Sequence, residues 1–225
     1  VNIEFGSDVP TAGVMVKDGD VHMICNPDFV SSLSDDHVKG LLKHECFHLA
    51  FEHCTSRKLE PHNVANIAAD LAINSDIPES ELPDGGLVPG KVPDPDSPGA
   101  DSPLAKLIAT LPKHESQEWY FTQIMQDEEA REQAEGEGNG FDDHGGWGEM
   151  SDEEKELVKG KMREVLKDAI KEADRTGKWG SIGGDMRAKL REMVSTEVDW
   201  RAILKQFCGF SKRGTRTTTW SNVNV

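Results

Sequence analysis

The chain has 225 residues, of which 36% are hydrophobic by type, and a formal net charge of −16, so it fits one domain with insertions or one domain plus a helical appendage. An acidic chain of this kind is a poor match to nucleic acid, and no apolar run is long enough to cross a membrane. No signal peptide opens it, a start at Val1 fits an excised or processed fragment, and the scattered Cys25, Cys46, Cys54 and Cys208 read as reduced, cytoplasmic thiols rather than a disulfide framework.

In chain order, Thr11 to Val16 and Val21 to Cys25 read as two short strands, with Lys17-Asp18-Gly19-Asp20 as the turn of a hairpin. Asn26-Pro27 ends the second strand, and Asp28 to Ser34 lead into the next element. An edge of this hairpin can pair with an extended peptide as well as close the core.

The strongest helix signal follows. Ser34 is placed to cap, Asp35 and Asp36 sit in the first turn where the helix dipole favours acids, and Leu33 and Val38 occupy the positions of a hydrophobic staple. The apolar set Leu41, Leu42, Cys46, Leu49 and Ala50 keeps helical spacing and marks the expected buried side. Inside this helix, His44-Glu45-Cys46-Phe47-His48 has the form H-E-x-x-H. Residues four apart on a helix stack one above the other, so two imidazoles can close on one ion, and Glu45 can act as general base on a metal-activated water. The plainer reading makes His44 and His48 core histidines with satisfied hydrogen bonds.

His62 to Ile77 predicts a second, buried helix that crosses the first. At 100° per residue Asn63, Asn66, Asp70 and Asn74 share one narrow stripe, while Val64, Ile67, Ala68, Leu71, Ala72 and Ile73 cover nearly all the rest. A carboxylate on such a helix is costly unless paired or metal-bound, which makes Asp70 the best candidate for a third ligand, with Asn63 and Asn74 behind it. The alternative for Asp70 is a cap or an arginine partner. His53 competes for the ligand role. On an unbroken helix it points about 140° away from His48, so it is expected behind the ligands or on the surface, unless the helix ends near Ala50.

Pro78 to Pro103 holds seven of the eleven prolines and reads as a long irregular connection, folded over a cleft or disordered. Ser116 to Ala134 reads as helical, with Trp119, Tyr120, Ile124 and Met125 inward, before an acidic run. Residues 127 to 156 hold thirteen acids against two bases, most simply a solvated linker, whereas 201 to 225 hold five bases and no acid. In the Gly-rich stretch Phe141 to Trp147, His144 stands beside Asp142 and Asp143 as a candidate catalytic proton donor, oxyanion stabiliser or ligand, or as a solvated surface residue. Ser151-Asp152-Glu153-Glu154 is a capping box that opens a helix to about Thr176, with Val158, Met162, Val165, Ala169 and Ala173 as its apolar face. Asp185 to Val194 and Val198 to Cys208 read as further helices, and Thr215 to Trp220 has strand composition.

These residues together resemble the bacterial and phage family of predicted metallopeptidases whose members commonly carry a von Willebrand factor A-like domain after the peptidase domain. The resemblance rests on Thr11-Ala12-Gly13, Asn26 to Val30, His44 to His53, Asn66 to Asn74, Asp142-Asp143-His144 and Asp199-Trp200-Arg201. It implies a zincin-type site with His44 and His48 as metal ligands and Glu45 as base; Asp70 fits the third ligand, and the resemblance favours a place for His144 in the site. The expected architecture is α+β and zincin-like, with a small β-sheet, a metal-binding helix, a second crossing helix and C-terminal helices. The expected organisation is a peptidase core over 1–134 with a Pro-rich insertion at 78–103, an acidic Gly-rich loop at 135–150, and a helical part at 151–225 packed on the core. The expected activity is Zn²⁺-dependent hydrolysis of a protein or peptide substrate, with no nucleic acid or membrane partner, and a von Willebrand-like domain as a partner in the full-length context. The alternative is a metal-stabilised binding or assembly module whose peptidase geometry is vestigial, against which Glu45 argues, because a purely structural site has no use for a base.

Overall fold

The computed structural model describes residues 2–7, 9–17, 20–53, 57, 59–97, 99–136 and 151–195. Among them the fold is α+β, with a three-stranded sheet and eight helices. The expected hairpin is β2 (Ala12–Lys17) and β3 (Asp20–Cys25), paired antiparallel with Val16 opposite Val21, Val14 opposite Met23 and Ala12 opposite Cys25. These six residues are buried, because side chains two apart on a strand share a face and this face meets the helices. β1 (Asn2–Phe5) adds in parallel to β3, giving the order β1-β3-β2. Four residues with Ile3 and Phe5 largely exposed carry too little pattern to predict this strand.

The link after β3 is a short helix, α1 (Pro27–Ser32). Asn26 Oδ1 accepts hydrogen bonds from the Asp28 and Phe29 amides, and Pro27 at the first helical position has the backbone angle a helix needs. α2 (Asp35–Ala50) begins as expected, with Ser34 Oγ accepting from the His37 amide. Its buried side differs from the sequence reading. Leu41 and Leu49 pack on the sheet and Phe47 on the other flank, while Leu42 and Cys46 face outward, because α2 is sandwiched and buries two flanks rather than one stripe.

α3 (His62–Asn74) is the central helix. Val64, Ala68, Leu71 and Ile73 are fully buried, each large aliphatic contributing roughly 1.5–3 kcal/mol relative to exposure. Its far side packs on α4 (Pro103–Thr110), α5 (Gln117–Gln126) and α6 (Glu128–Gly136) through Leu104, Ile108, Tyr120, Ile124, Ala130 and Ala134. The expected single helix over 116–134 is two, parted at Asp127, whose carboxylate accepts from the Ala130 amide and so caps the second. The Tyr120 hydroxyl donates to the Pro112 carbonyl and lies 3.2 Å from Ser75 Oγ, fastening the end of α3 to α5.

α7 (Asp152–Thr176) opens with the expected capping box and ends at Gly177 in the left-handed region. Val158 packs on the sheet, and Leu166, Ile170 and Ala173 join Phe47, Phe51 and Ile73. Val165 and Ala169 are exposed, correcting the expected face, because the burying row steps by four residues (158, 162, 166, 170) where the sequence reading took a step of three after Met162. α8 (Gly184–Val194) completes this cluster with Met186 and Leu190. No described helix is long and apolar enough to cross a membrane. The expected helix at 198–208, the strand at 215–220, Cys54, Cys208 and the loop bearing His144 lie outside the described residues.

Candidate metal centre

α2 and α3 cross so that three side chains meet at one point. His44 and His48, one turn apart, bring their Nε2 atoms to 2.9 Å from each other. Asp70 Oδ1 lies 3.4 Å from His44 Nε2 and 3.2 Å from His48 Nε2. All three residues are buried. Ligand atoms held about 2.0–2.1 Å from a tetrahedral ion are about 3.3 Å apart, so this triangle has the size of one face of a zinc coordination shell. Two imidazole nitrogens and a carboxylate form the donor set that zinc accepts, with room for a fourth ligand.

The tautomer of His44 follows from its neighbour. Asn74 Nδ2 donates to the Leu87 carbonyl at 2.8 Å, so Oδ1 is the atom that faces His44 Nδ1, also at 2.8 Å. His44 must then carry its proton on Nδ1 and turn a lone pair toward the triangle. Asn74, expected behind the ligands, touches one of them directly. Asn63 instead donates to the Glu135 carbonyl at the end of α6.

His53 stands behind His48, one of the two places expected of it, although the unbroken helix assumed for that expectation is not what puts it there. It is 1% exposed, not on the surface, and its Nδ1 lies 3.2 Å from His48 Nδ1. α2 stops at Ala50, and Glu52 turns through φ 62°, bringing His53 back beneath His48. A non-glycine residue in the left-handed region gives no sequence warning. His53 therefore meets the side of His48 away from the triangle. Burial, then the nearby Arg57 charge, hold His53 down at about 3; burial, then the charges of His44 and His53, hold His48 well below the usual histidine range. Both rings are neutral at pH 7, the form in which imidazole ligates metal.

Glu45 is fully buried, beside His44 in sequence. Burial, and after it the Glu45 charge, raise the thiols of both Cys25 and Cys46 above their ordinary range. Burying a carboxylate costs several kcal/mol before compensation, so its presence here points to a chemical role.

A cavity of about 730 Å³ opens beside the triangle. His44, Asp70 and Asn74 line it together with Asn63 and Asn66, so the whole polar stripe read on α3 faces the cavity. The opposite wall is the Pro-rich connection: Leu82 to Val88 and parts of 91–102. Among its described residues that segment has no helix or strand before α4, yet it is held closely. Lys43 of α2 bonds Glu81 and Ser181, Leu82 and Val88 enter the core, and the Glu81 carbonyl lies only 1.8 Å from where a Cβ on Gly40 would be. Gly40 was missed by the sequence reading. Its signal is a glycine in mid-helix, a costly choice that marks close backbone approach.

The chain belongs to the family described as "Putative metallopeptidase domain", whose model matches residues 6–224. A protein of Thermotoga maritima, described only as "Uncharacterized protein", is 27% identical over 217 residues, covering 89% of this chain and 51% of its own length. The chain thus spans about half of that relative. No solved structure matches it.

Proposed function

We propose that this domain is a zincin-like, zinc-dependent peptidase in which His44, His48 and Asp70 hold the ion and Glu45 is the general base. The observation that carries the reading is the triangle of two Nε2 atoms and one carboxylate oxygen, at tetrahedral spacing, with His44 and Asp70 on the wall of a cavity. When bound, zinc supplies Lewis acidity, polarising a carbonyl and lowering the pKa of water toward about 7. The chain's own residues do the rest. Glu45 accepts the proton of the attacking water on a carboxylate oxygen and delivers it to the leaving amine nitrogen. Asn74 and His53 hold the two imidazoles by their far nitrogens, which keeps both Nε2 lone pairs aimed at one point. The cavity between α3 and the 82–102 segment is where a protein or peptide substrate enters. Residues 1–134 form the peptidase core in this reading, His144 assists proton transfer from the 135–150 loop, and a von Willebrand-like domain is the partner in the longer protein.

Glu45→Gln tests the reading, because it keeps shape and reach but cannot take the proton. Zinc content and melting temperature should stay at the parent's values, and turnover of a peptide library should fall by about 10²- to 10⁴-fold. Equal turnover in parent and variant would remove Glu45 from the mechanism. No turnover in either, with zinc bound, would favour a binding module.

A further inference from the structure

We infer that Asn74 is a positioning residue that couples the metal ligand His44 to the opposite wall of the cavity. The inference rests on His44 being a ligand, and goes beyond that reading by making the wall's placement depend on the ion. One carboxamide spans the gap. Its Oδ1 accepts from His44 Nδ1–H and its Nδ2 donates to the Leu87 carbonyl, each at 2.8 Å, and Asn74 is only 4% exposed. The wall comes close at this point. A Cβ on Gly86 would stand 4.0 Å from Asn74 Nδ2, and the flanking Leu82 and Val88 are buried in the core with Ile73, the residue before Asn74.

The two bonds form a chain in which each polarises the next. A cation on His44 Nε2 withdraws electron density from the ring and makes Nδ1–H a stronger donor. The amide it binds is then more polarised, so Nδ2–H becomes a stronger donor to Leu87. Coupling of this kind is reciprocal: an ion that tightens the wall is itself held more tightly when the wall is docked. The wall is thus held by more than the apolar contacts of Leu82 and Val88, and the Leu87 carbonyl takes part in orienting a ligand.

Two substitutions separate the halves of the chain. Asn74→Asp keeps an acceptor for His44 but loses the donor to Leu87; Asn74→Ala loses both. Metal-free parent and variants are titrated with zinc against a chromophoric chelator. Backbone amide exchange is followed at Gly86 and Lys91, whose N–H groups bond the Pro83 and Val88 carbonyls. Melting of the metal-free forms checks folding. In the parent, zinc should slow exchange at both amides. Asn74→Asp should bind zinc within about threefold of the parent yet show no zinc-dependent slowing, and Asn74→Ala should lose the slowing and bind about 10- to 100-fold more weakly. Parent-like affinity in Asn74→Ala, or equal zinc-dependent slowing in Asn74→Asp and parent, would overturn the coupling alone. Should Asn74→Ala not fold, the slowing in Asn74→Asp decides. A parent that binds no zinc would instead overturn the metal-centre reading, and the coupling with it.

Discussion

The cavity has two walls built on opposite principles. α3 is a regular helix whose polar stripe and apolar remainder follow the 3.6-residue period, so each side chain's direction is set by its place in the sequence. Among its described residues the 82–102 wall has separate turns but no helix or strand before α4. It is placed by scattered contacts: the salt bridge of the preceding Glu81 to Lys43 and the Glu81 carbonyl against Gly40, an amide from Asn74 to Leu87, and the Leu82 and Val88 side chains in the core. The regular wall presents Asp70 and the polar stripe, and the irregular wall sets the shape of the cavity. The two should therefore fail differently when altered.

The largest effect is expected on the helical side. The double variant His44→Ala, His48→Ala should bind no zinc, read as metal per chain after dialysis, and Asp70→Ala should weaken zinc by a large factor with little change in the metal-free melting temperature. Full occupancy in the double variant would dissolve the comparison by removing the chemistry from α2 and α3. On the other side, Gly40→Ala drives a methyl into the Glu81 backbone, which cannot swing away as a side chain could. Overpacking of this kind costs about 1–3 kcal/mol, measurable by urea unfolding, while one zinc per chain should still bind. An unaffected Gly40→Ala would mean that the wall is not docked there. The smallest effect sharpens the contrast within the helical side. His53→Ala removes a group that meets His48 at its far nitrogen and not at the triangle, so zinc affinity should fall by about tenfold, well short of Asp70→Ala. A greater loss for His53→Ala than for Asp70→Ala would reverse the roles of the two residues.

What was legible in the sequence follows the same division. The hairpin, the capped α2, buried α3 and the start of α7 are all encoded in local period and capping chemistry, and the meeting of His44, His48 and Asp70 follows from two such helices crossing. β1 was not legible, because a four-residue strand becomes one only through its neighbour β3. Nor was the return of His53, since Glu52 adopts a positive φ without being glycine or asparagine. The split at Asp127 and the outward turn of Leu42 and Val165 reflect which surfaces happen to meet, and a single chain's periodicity does not record that. For 82–102, composition announced irregularity, but the anchoring depends on Gly40, Lys43 and Asn74, residues that precede the segment and are read there as parts of helices.

One feature of the centre bears on how the molecule is made. Its three candidate ligand groups lie between positions 44 and 70, and the cavity wall follows at once in the chain. A polypeptide leaving the ribosome at about 5–20 residues per second has every donor atom in hand within seconds of the first. Closing this loop costs little more than closing one half as long, about 0.6 kcal/mol. The helices that cover the far side of α3 arrive later. An ion captured at this stage would fasten α2 to α3 early and give the rest of the chain a template to fold against.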